Sequence, residues 1–245
     1  MKTQVVIPAR LQSTRLPRKV LADIHGKPLI QHVWERVRAA QMVDDVFIAV
    51  DDDTVQAVAQ GFGAQVLMTD PACQSGTERI ASVLDQLDAD FIINVQGDEP
   101  LIQTTLIDAL VTRWQADPVD LVTPIFRMTD VDDLFSSHVV KVVRGYDDRI
   151  LYFSRQAVPH LRDVPEQEWL AQQAYWGHIG VYGYRRQVLA NYDQLPASPL
   201  EASEKLEQLR FLEAGYQFLA VETDYRPIAV DVAEDLEHVR QILAK

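Results

Sequence analysis

Short apolar runs alternate with amphipathic stretches through the first half of the chain. Gln4–Pro8, Val46–Val50, Gln65–Met68, Phe91–Val95 and Leu121–Phe126 read as strands. Between them, Leu29–Ala40 repeats Leu29, Val33 and Val37 at four-residue spacing, the signature of a helix with one buried stripe. Further helices are expected over Thr54–Gly61, capped by Asp53, and over Gly76–Leu87 and Thr104–Trp114. This βαβα order predicts a parallel sheet covered by helices on both faces.

The rhythm changes from Val139. Val139–Val143, Ile150–Phe153 and Ile179–Tyr184 read as strands with little helix between them, which predicts antiparallel additions. Asp163–Gln173 is polar, carries Pro165 and reads as a mobile loop. A helix over Glu201–Ala214 stops at Gly215, and a strand at Gln217–Val221 and a helix at Val232–Ala244 close the chain. No repeat, low-complexity tract or long linker is present, so the expectation is a single domain over 1–245 with a β-rich lobe inserted at about 127–185.

Composition narrows the class. The 245 residues are 47% hydrophobic, enough for a sizeable core, and no apolar run approaches the roughly 18 residues of a membrane helix. The start of the chain lacks the apolar region and cleavage site of a secretory signal, and Cys73 is the only cysteine; a reducing cytoplasm is expected. A net charge of −13 argues against general nucleic-acid binding. Against that acidic background, residues 1–27 hold Lys2, Arg10, Arg15, Arg18, Lys19 and Lys27 and one acid, Asp23. Such a segment is either a discrete anion site or a solvated basic loop.

The anion reading has a location. Pro8-Ala-Arg-Leu-Gln-Ser-Thr-Arg-Leu-Pro-Arg-Lys19 follows the first strand, where loops of a parallel sheet line the ligand crevice. Arg10, Arg15 and Lys19 are spaced to wrap a triphosphate. Neither GxGxxG nor a Walker A sequence is present; Gly61 and Gly63 follow a helix and read as its stop.

The segment PARLQSTRLPRKVL resembles the N-terminal signature of the 3-deoxy-manno-octulosonate (Kdo) cytidylyltransferases, usually PAR-x-x-STRLPGKPL. The likeness continues in family order through QSGTERI, NVQGDEPLI, LYFSR, HIGVYGYR, EKLEQLR and VDVAEDL, over essentially the whole chain. The resemblance implies a Rossmann-like nucleotidyltransferase fold of class α/β. Its mixed, mostly parallel sheet is flanked by helices, and a smaller β-rich lobe serves dimerisation. It implies attack by the anomeric hydroxyl of an acidic eight-carbon sugar on the α-phosphorus of CTP, with Mg²⁺ as cofactor, for lipopolysaccharide synthesis. Catalytic roles would fall to Arg10, Arg15, Lys19, Asp98 and Asp231, with Asp98 and Asp231 holding the metal. CTP would meet Pro8, Ala9, Arg10, Ser13, Arg15, Lys19, Gln74, Ser75, Gly76 and Asp98. The sugar would meet Gln96, Arg155, His178, Tyr182, Tyr184, Glu207 and Gln208.

Plain structural alternatives stand beside several of these. Asp231 with Glu234 is also a capping pattern, which would make Asp231→Ala cost about 1 kcal/mol. Ser75-Gly76 is also an ordinary helix entry, and Glu78–Arg79 a surface pair. Arg155 fits a buried ion pair. Glu204, Glu207 and Gln208 share one helical face that solvent alone would explain. Strand alternation puts His178, Gly180, Tyr182 and Tyr184 on a common side, facing either a polyhydroxylated ligand or a satisfied interior.

The apolar residues Val140, Val142, Ile150, Phe153, Ile179 and Val181 need covering, by the chain's own C-terminal helices or by a second copy in a homodimer. Two positions depart from the family pattern: Arg18-Lys-Val20 replaces Gly-Lys-Pro, and Gly177 stands where a basic residue is common. They leave open a Kdo analogue such as the 8-amino form. Another acidic sugar and an inactive nucleotide-binding scaffold are the rivals.

Overall fold

The computed structural model describes residues 1–244; Lys245, the last residue of the expected domain span, lies outside them. The strands in chain order are β1 (Thr3–Ala9), β2 (Asp23–Ile24), β3 (Lys27–Pro28), β4 (Asp45–Val50), β5 (Gln65–Met68) and β6 (Phe91–Asn94). They continue as β7 (Leu121–Arg127), β8 (Lys141–Arg144), β9 (Ile150–Ser154), β10 (Trp176–His178), β11 (Tyr182–Arg185) and β12 (Phe218–Thr223). The helices are α1 (Leu29–Arg38), α2 (Asp53–Gly61), α3 (Gly76–Ala81), α4 (Thr104–Ala116) and α5 (Val131–Phe135). After them come α6 (Trp169–Gln172), α7 (Arg186–Ala190), α8 (Pro199–Glu204), α9 (Gln208–Glu213) and α10 (Ala233–Leu243).

The main sheet runs β5-β4-β1-β6-β11-β7-β10-β8-β9, with β12 parallel to β7 on its remaining edge. The first four strands pair in parallel and β11 enters antiparallel between β6 and β7. One layer of core gathers Leu29, Val33 and Val37 of α1 with Ile107 and Leu110 of α4. The other gathers Leu209 and Phe211 of α9 with Phe153 and Phe218.

Five elements differ from expectation. The strand expected over Ile179–Tyr184 is interrupted: Val181 N donates to Ile179 O at 2.7 Å, a three-residue turn that separates β10 from β11. The helix expected over Glu201–Ala214 breaks at Lys205, whose φ of 54° leaves the helical region and ends α8 before α9 begins. The α2 cap is Asp52 rather than Asp53; its Oδ1 accepts from Thr54 N at 2.7 Å. Helix over Gly76–Leu87 shortens to α3 plus a 3-10 turn at Leu84–Gln86. The polar Asp163–Gln173 segment contains α6 and is pinned by Trp169, which is buried and donates from Nε1 to Val164 O.

The β-rich region supplies its own cover. Val142, Ile150, Phe153, Ile179 and Val181 are all buried within the single chain, and Val140 is partly buried. The need for a second copy to cover them therefore disappears: α9 packs over Val142, Ile150 and Phe153, while Ile179 and Val181 join the core on the α1 and α4 side.

Candidate active site

Three chain segments meet beyond the C-terminal ends of β1 and β6. The β1–β2 connection brings Arg10, Ser13, Arg15 and Lys19; the loop after β6 brings Gln96 and Asp98; Asp231 precedes α10. Close approach is built in at Gly97, where an added Cβ would lie 2.7 Å from Pro8 O. Any side chain there would push the two loops apart. Val230 N donates to Asp98 O at 2.9 Å, fixing the two acidic segments side by side.

Both carboxylates converge on one cation. Lys19 Nζ lies 2.6 Å from Asp98 Oδ2 and 3.0 Å from Asp231 Oδ1, and Arg15 Nη2 also reaches Asp231 Oδ1 at 3.0 Å. Asp231 makes no cap: the backbone N–H groups of Asp231 and Val232 donate instead to Asp235 Oδ2, at 2.8 and 3.0 Å. The capping alternative, with its stability cost for Asp231→Ala, is thereby removed. Among the described residues there is no cluster of three or more His, Cys, Asp or Glu able to enclose a metal. Two oxygen ligands that leave other positions to substrate and water suit a hard divalent cation.

Pro8, Arg10, Ser13, Arg15, Lys19, Gln74, Ser75, Gly76, Gln96, Asp98 and Asp231 line this one cleft. Ala9 does not; it is buried in β1. Gln96, expected toward the sugar or the ribose, lines the charged cleft, and its Nε2 donates to Gly180 O at 3.2 Å on the side of the second cavity. Ser75 caps α3, accepting from Glu78 N at 3.1 Å, and its hydroxyl donates to Glu207 Oε1 at 2.7 Å.

A second cavity adjoins the first across Gly180 and Gln96. His178, Tyr182 and Gln208 line it. The Tyr182 hydroxyl donates to Gln208 Oε1 at 3.2 Å, and the His178 ring packs 5.0 Å from Phe153 and 5.3 Å from Tyr182. Burial drives the His178 pKa down to about 3, so the imidazole stays neutral. Its tautomer follows from Thr123. That hydroxyl gives its one proton to Val181 O at 2.8 Å, so at 2.9 Å it accepts from His178 Nε2, leaving Nδ1 as an acceptor. Burial also pushes the Tyr182 and Tyr184 phenols far above their ordinary values, which keeps both as neutral donors.

Three expected sugar contacts line neither chamber. Tyr184 is buried and meets Thr77 Oγ1 at 2.9 Å. Glu207 turns to the entry of α3, accepting from Ser75, Thr77 and Tyr192, and burial raises its pKa. Arg155 is consumed by carbonyls: Nε reaches Glu204 O at 2.6 Å, Nη1 Ser137 O at 2.9 Å and Nη2 Lys205 O at 3.3 Å. The break at Lys205 explains the scatter of the acidic row. Glu204 faces Ser154 and Arg155 N, Glu207 faces Ser75, and only Gln208 reaches the second cavity.

The chain belongs to the cytidylyltransferase family. Its profile matches residues 4–222. The chain is 44% identical over 245 residues to the 3-deoxy-manno-octulosonate cytidylyltransferase of Myxococcus xanthus, spanning 99% of this chain and 96% of that protein. It is 43% identical to the protein of the same name from Francisella tularensis subsp. novicida, covering 97% of each. A solved CMP:2-keto-3-deoxy-manno-octonic acid synthetase, complexed with CTP, superposes with a TM-score of 0.94 at 39% identity, over 100% of this chain and 99% of that one.

Within this cytidylyltransferase some groups escaped the sequence reading. Arg79 is buried rather than a surface partner of Glu78. It lines the first cleft, bonds Thr69 and pairs with Asp51 at 3.1 Å, while Asp51 Oδ1 accepts from Leu11 N at 3.0 Å. Asp51 had a signal: like Asp98, it is a carboxylate just past the C-terminal end of a parallel strand. Glu99 had none. It is buried beside Asp98 with Oε2 unpartnered among the described residues, and burial followed by the Asp98 charge lifts its pKa to about 8. Among those residues no helix is long and apolar enough to cross a membrane.

Proposed function

We propose that this protein transfers CMP from CTP to Kdo, releasing pyrophosphate and supplying CMP-Kdo for lipopolysaccharide synthesis in the cytoplasm. The observation that carries the reading is the convergence of Asp98 and Asp231 on a single cation, Lys19 Nζ, in a basic cleft that adjoins a second polar cavity across Gln96 and Gly180. Full-length likeness to proteins named as Kdo cytidylyltransferases supports the choice of substrates. Asp98 and Asp231 would hold Mg²⁺, which when bound supplies positive charge at the phosphates and acidifies a nearby hydroxyl.

The chain's own groups do the positioning. Arg10, Arg15 and Lys19 offer guanidinium and ammonium donors to the triphosphate and neutralise the charge that builds on departing pyrophosphate. The α3 entry at Ser75-Gly76 forms the wall for the nucleoside. His178 Nδ1 accepts from a sugar hydroxyl, while Tyr182 and Gln208 offer neutral polar contacts to the same ring. Nucleotidyl transfer needs alignment and charge stabilisation more than covalent help, which this division of labour provides.

Pyrophosphate release measured with CTP, Mg²⁺ and a panel of sugar acids tests the proposal. Turnover with Kdo is expected; a chain inert toward every sugar acid would sink it. Homodimerisation stays part of the reading on the family resemblance. The exposed Leu151 and Tyr146 of the β8–β9 hairpin are the apolar surface available for it. A sedimentation equilibrium mass near 27.8 kDa at micromolar protein would refute the dimer.

A further inference from the structure

An acidic sugar brings a carboxylate, and the second cavity must answer it. Arg155 is saturated by three backbone carbonyls and lines neither chamber. The ionisable groups on the cavity wall are Asp130, Asp133, His138, His178, Tyr182 and Arg226. His178 is held neutral by burial and Tyr182 keeps its proton. Among the described residues Arg226 is therefore the one permanent positive charge facing this space.

Its anchoring fits that task. The guanidinium carbon of Arg226 stacks over the Phe126 ring at 4.2 Å. Nη2 is spent on Arg127 O at 2.9 Å and Thr129 Oγ1 at 3.0 Å, which fixes the plane. Nη1 has only a 3.5 Å contact with Asp133 Oδ2, and Nε makes no hydrogen bond among the described residues. The Asp133 side chain is 43% exposed, so this long contact is weak and the carboxylate can turn to water at little cost.

The same ring accounts for the family departure at Gly177. A Cβ there would lie 2.2 Å from Phe126 Cζ, so the aromatic occupies the room that a basic side chain at 177 would need. Charge absent from β10 reaches the cavity from the segment after β12, carried on that ring.

We infer that Arg226 receives the carboxylate of the acidic sugar and that Asp133 is its place-holding anion in the ligand-free protein. Arg226 is then a specificity-determining residue of the second cavity, an inference that rests on the proposed sugar-acid activity. The two aspartates sharpen selection. A carboxylate is tolerated only where it displaces Asp133 from Nη1, and elsewhere in the cavity it meets like charge.

Steady-state kinetics of the full-length protein with Kdo, together with CTP affinity measured without sugar, test this. Arg226→Gln should raise KM for Kdo about tenfold or more, the scale of a charge-assisted hydrogen bond, with a smaller change in kcat and no change in CTP affinity. Asp133→Asn should lower KM for Kdo, because it frees the guanidinium. If the pair were only a structural staple, both substitutions would raise KM together, and that outcome overturns the inference. So does an Arg226→Gln KM within twofold of the parent. Inhibition by the carboxamide of Kdo should be indifferent to Arg226→Gln; an equal loss for acid and amide also overturns it. Should the parent protein turn over another sugar acid and not Kdo, the Kdo reading falls alone, and the same two variants with that acid decide the role of Arg226. Failure with every sugar acid removes both.

Discussion

The two chambers solve opposite electrostatic problems with opposite backbone. The first cleft concentrates permanent charge, with Lys19, Arg15, Asp98 and Asp231 in mutual contact, on loops leaving parallel strands. The second sets a neutral imidazole, phenol and amide at the break between antiparallel β10 and β11, with a single guanidinium, Arg226, and the carboxylates of Asp130 and Asp133 on the same wall. In the proposed reading, phosphates and metal would meet full charges held at fixed spacing in the first. The hydroxyls of the sugar would meet donors and acceptors in the second whose protonation does not wander, a constancy that burial beside Phe153 supplies.

The contrast can be broken most sharply at the carboxylates. Asp98→Ala and Asp231→Ala should each lower turnover by about two orders of magnitude or more while thermal unfolding stays near that of the parent protein. Near-normal turnover in Asp98→Ala would remove its metal role. Next comes the division between chambers. Lys19→Ala should weaken CTP binding without sugar about tenfold or more, the worth of a lost charge-assisted contact, whereas His178→Ala should leave it within twofold. Equal losses in titration calorimetry would merge the two chambers into one.

Packing beneath the second cavity gives a stability test. Gly177→Ala drives a methyl into the Phe126 ring and should destabilise the fold by about 1–3 kcal/mol in denaturant melts. A pH test follows from His178, whose pKa falls to about 3 in the fold against about 6.5 unfolded. Above pH 6.5 neither state binds the proton and this contribution to stability is complete. As pH falls from about 6.5 toward 3 the unfolded chain alone takes up the proton. This one group therefore removes about 1.4 kcal/mol per pH unit across that window. His178→Gln should flatten that part of the stability profile. Between about pH 5.5 and 8 the imidazole stays neutral in the fold, so the KM for sugar should show no titration from His178 there. The smallest effect belongs to the β1–β2 connection behind the first cleft. Arg18 sits at φ 55°, in the left-handed region that suits the glycine usual there in the family. Arg18→Gly should change stability by less than about 1 kcal/mol, toward stabilisation, with strain relief partly offset by chain entropy. A melting temperature lowered by several degrees would contradict the strain.

The first cleft was legible because its residues arrive as contiguous text: PARLQSTRLPRK, QSGTER and QGDEP each deliver several lining groups in one run. Strand β5 spans the same residues as the run in the sequence, Gln65–Met68. Much of the second chamber was not legible. A continuous amphipathic pattern over Glu201–Ala214 hides the left-handed Lys205, because periodicity registers burial and not a single dihedral. Arg155 looked free because its partners are main-chain carbonyls, which carry no side-chain signal. Thr123, which sets the tautomer of His178, and Arg226 are separated from it by 55 and 48 positions and announced by no motif.

The link between Lys19 and Asp231 spans 212 positions, from the first loop of the chain to the threshold of its last helix. A growing polypeptide thus completes β1, its anion loop and even Asp98 long before the charged centre can close. Docking of the Val230–Asp231 segment through the Asp98 O contact is what brings the second carboxylate to Lys19. Opening of that same terminal segment is a local event that need not disturb the β1–β4–β5 sheet. Activity should therefore vanish in a partially opened state whose secondary structure is nearly intact. In this molecule the integrity of the C-terminal end is read out at the N-terminal loop.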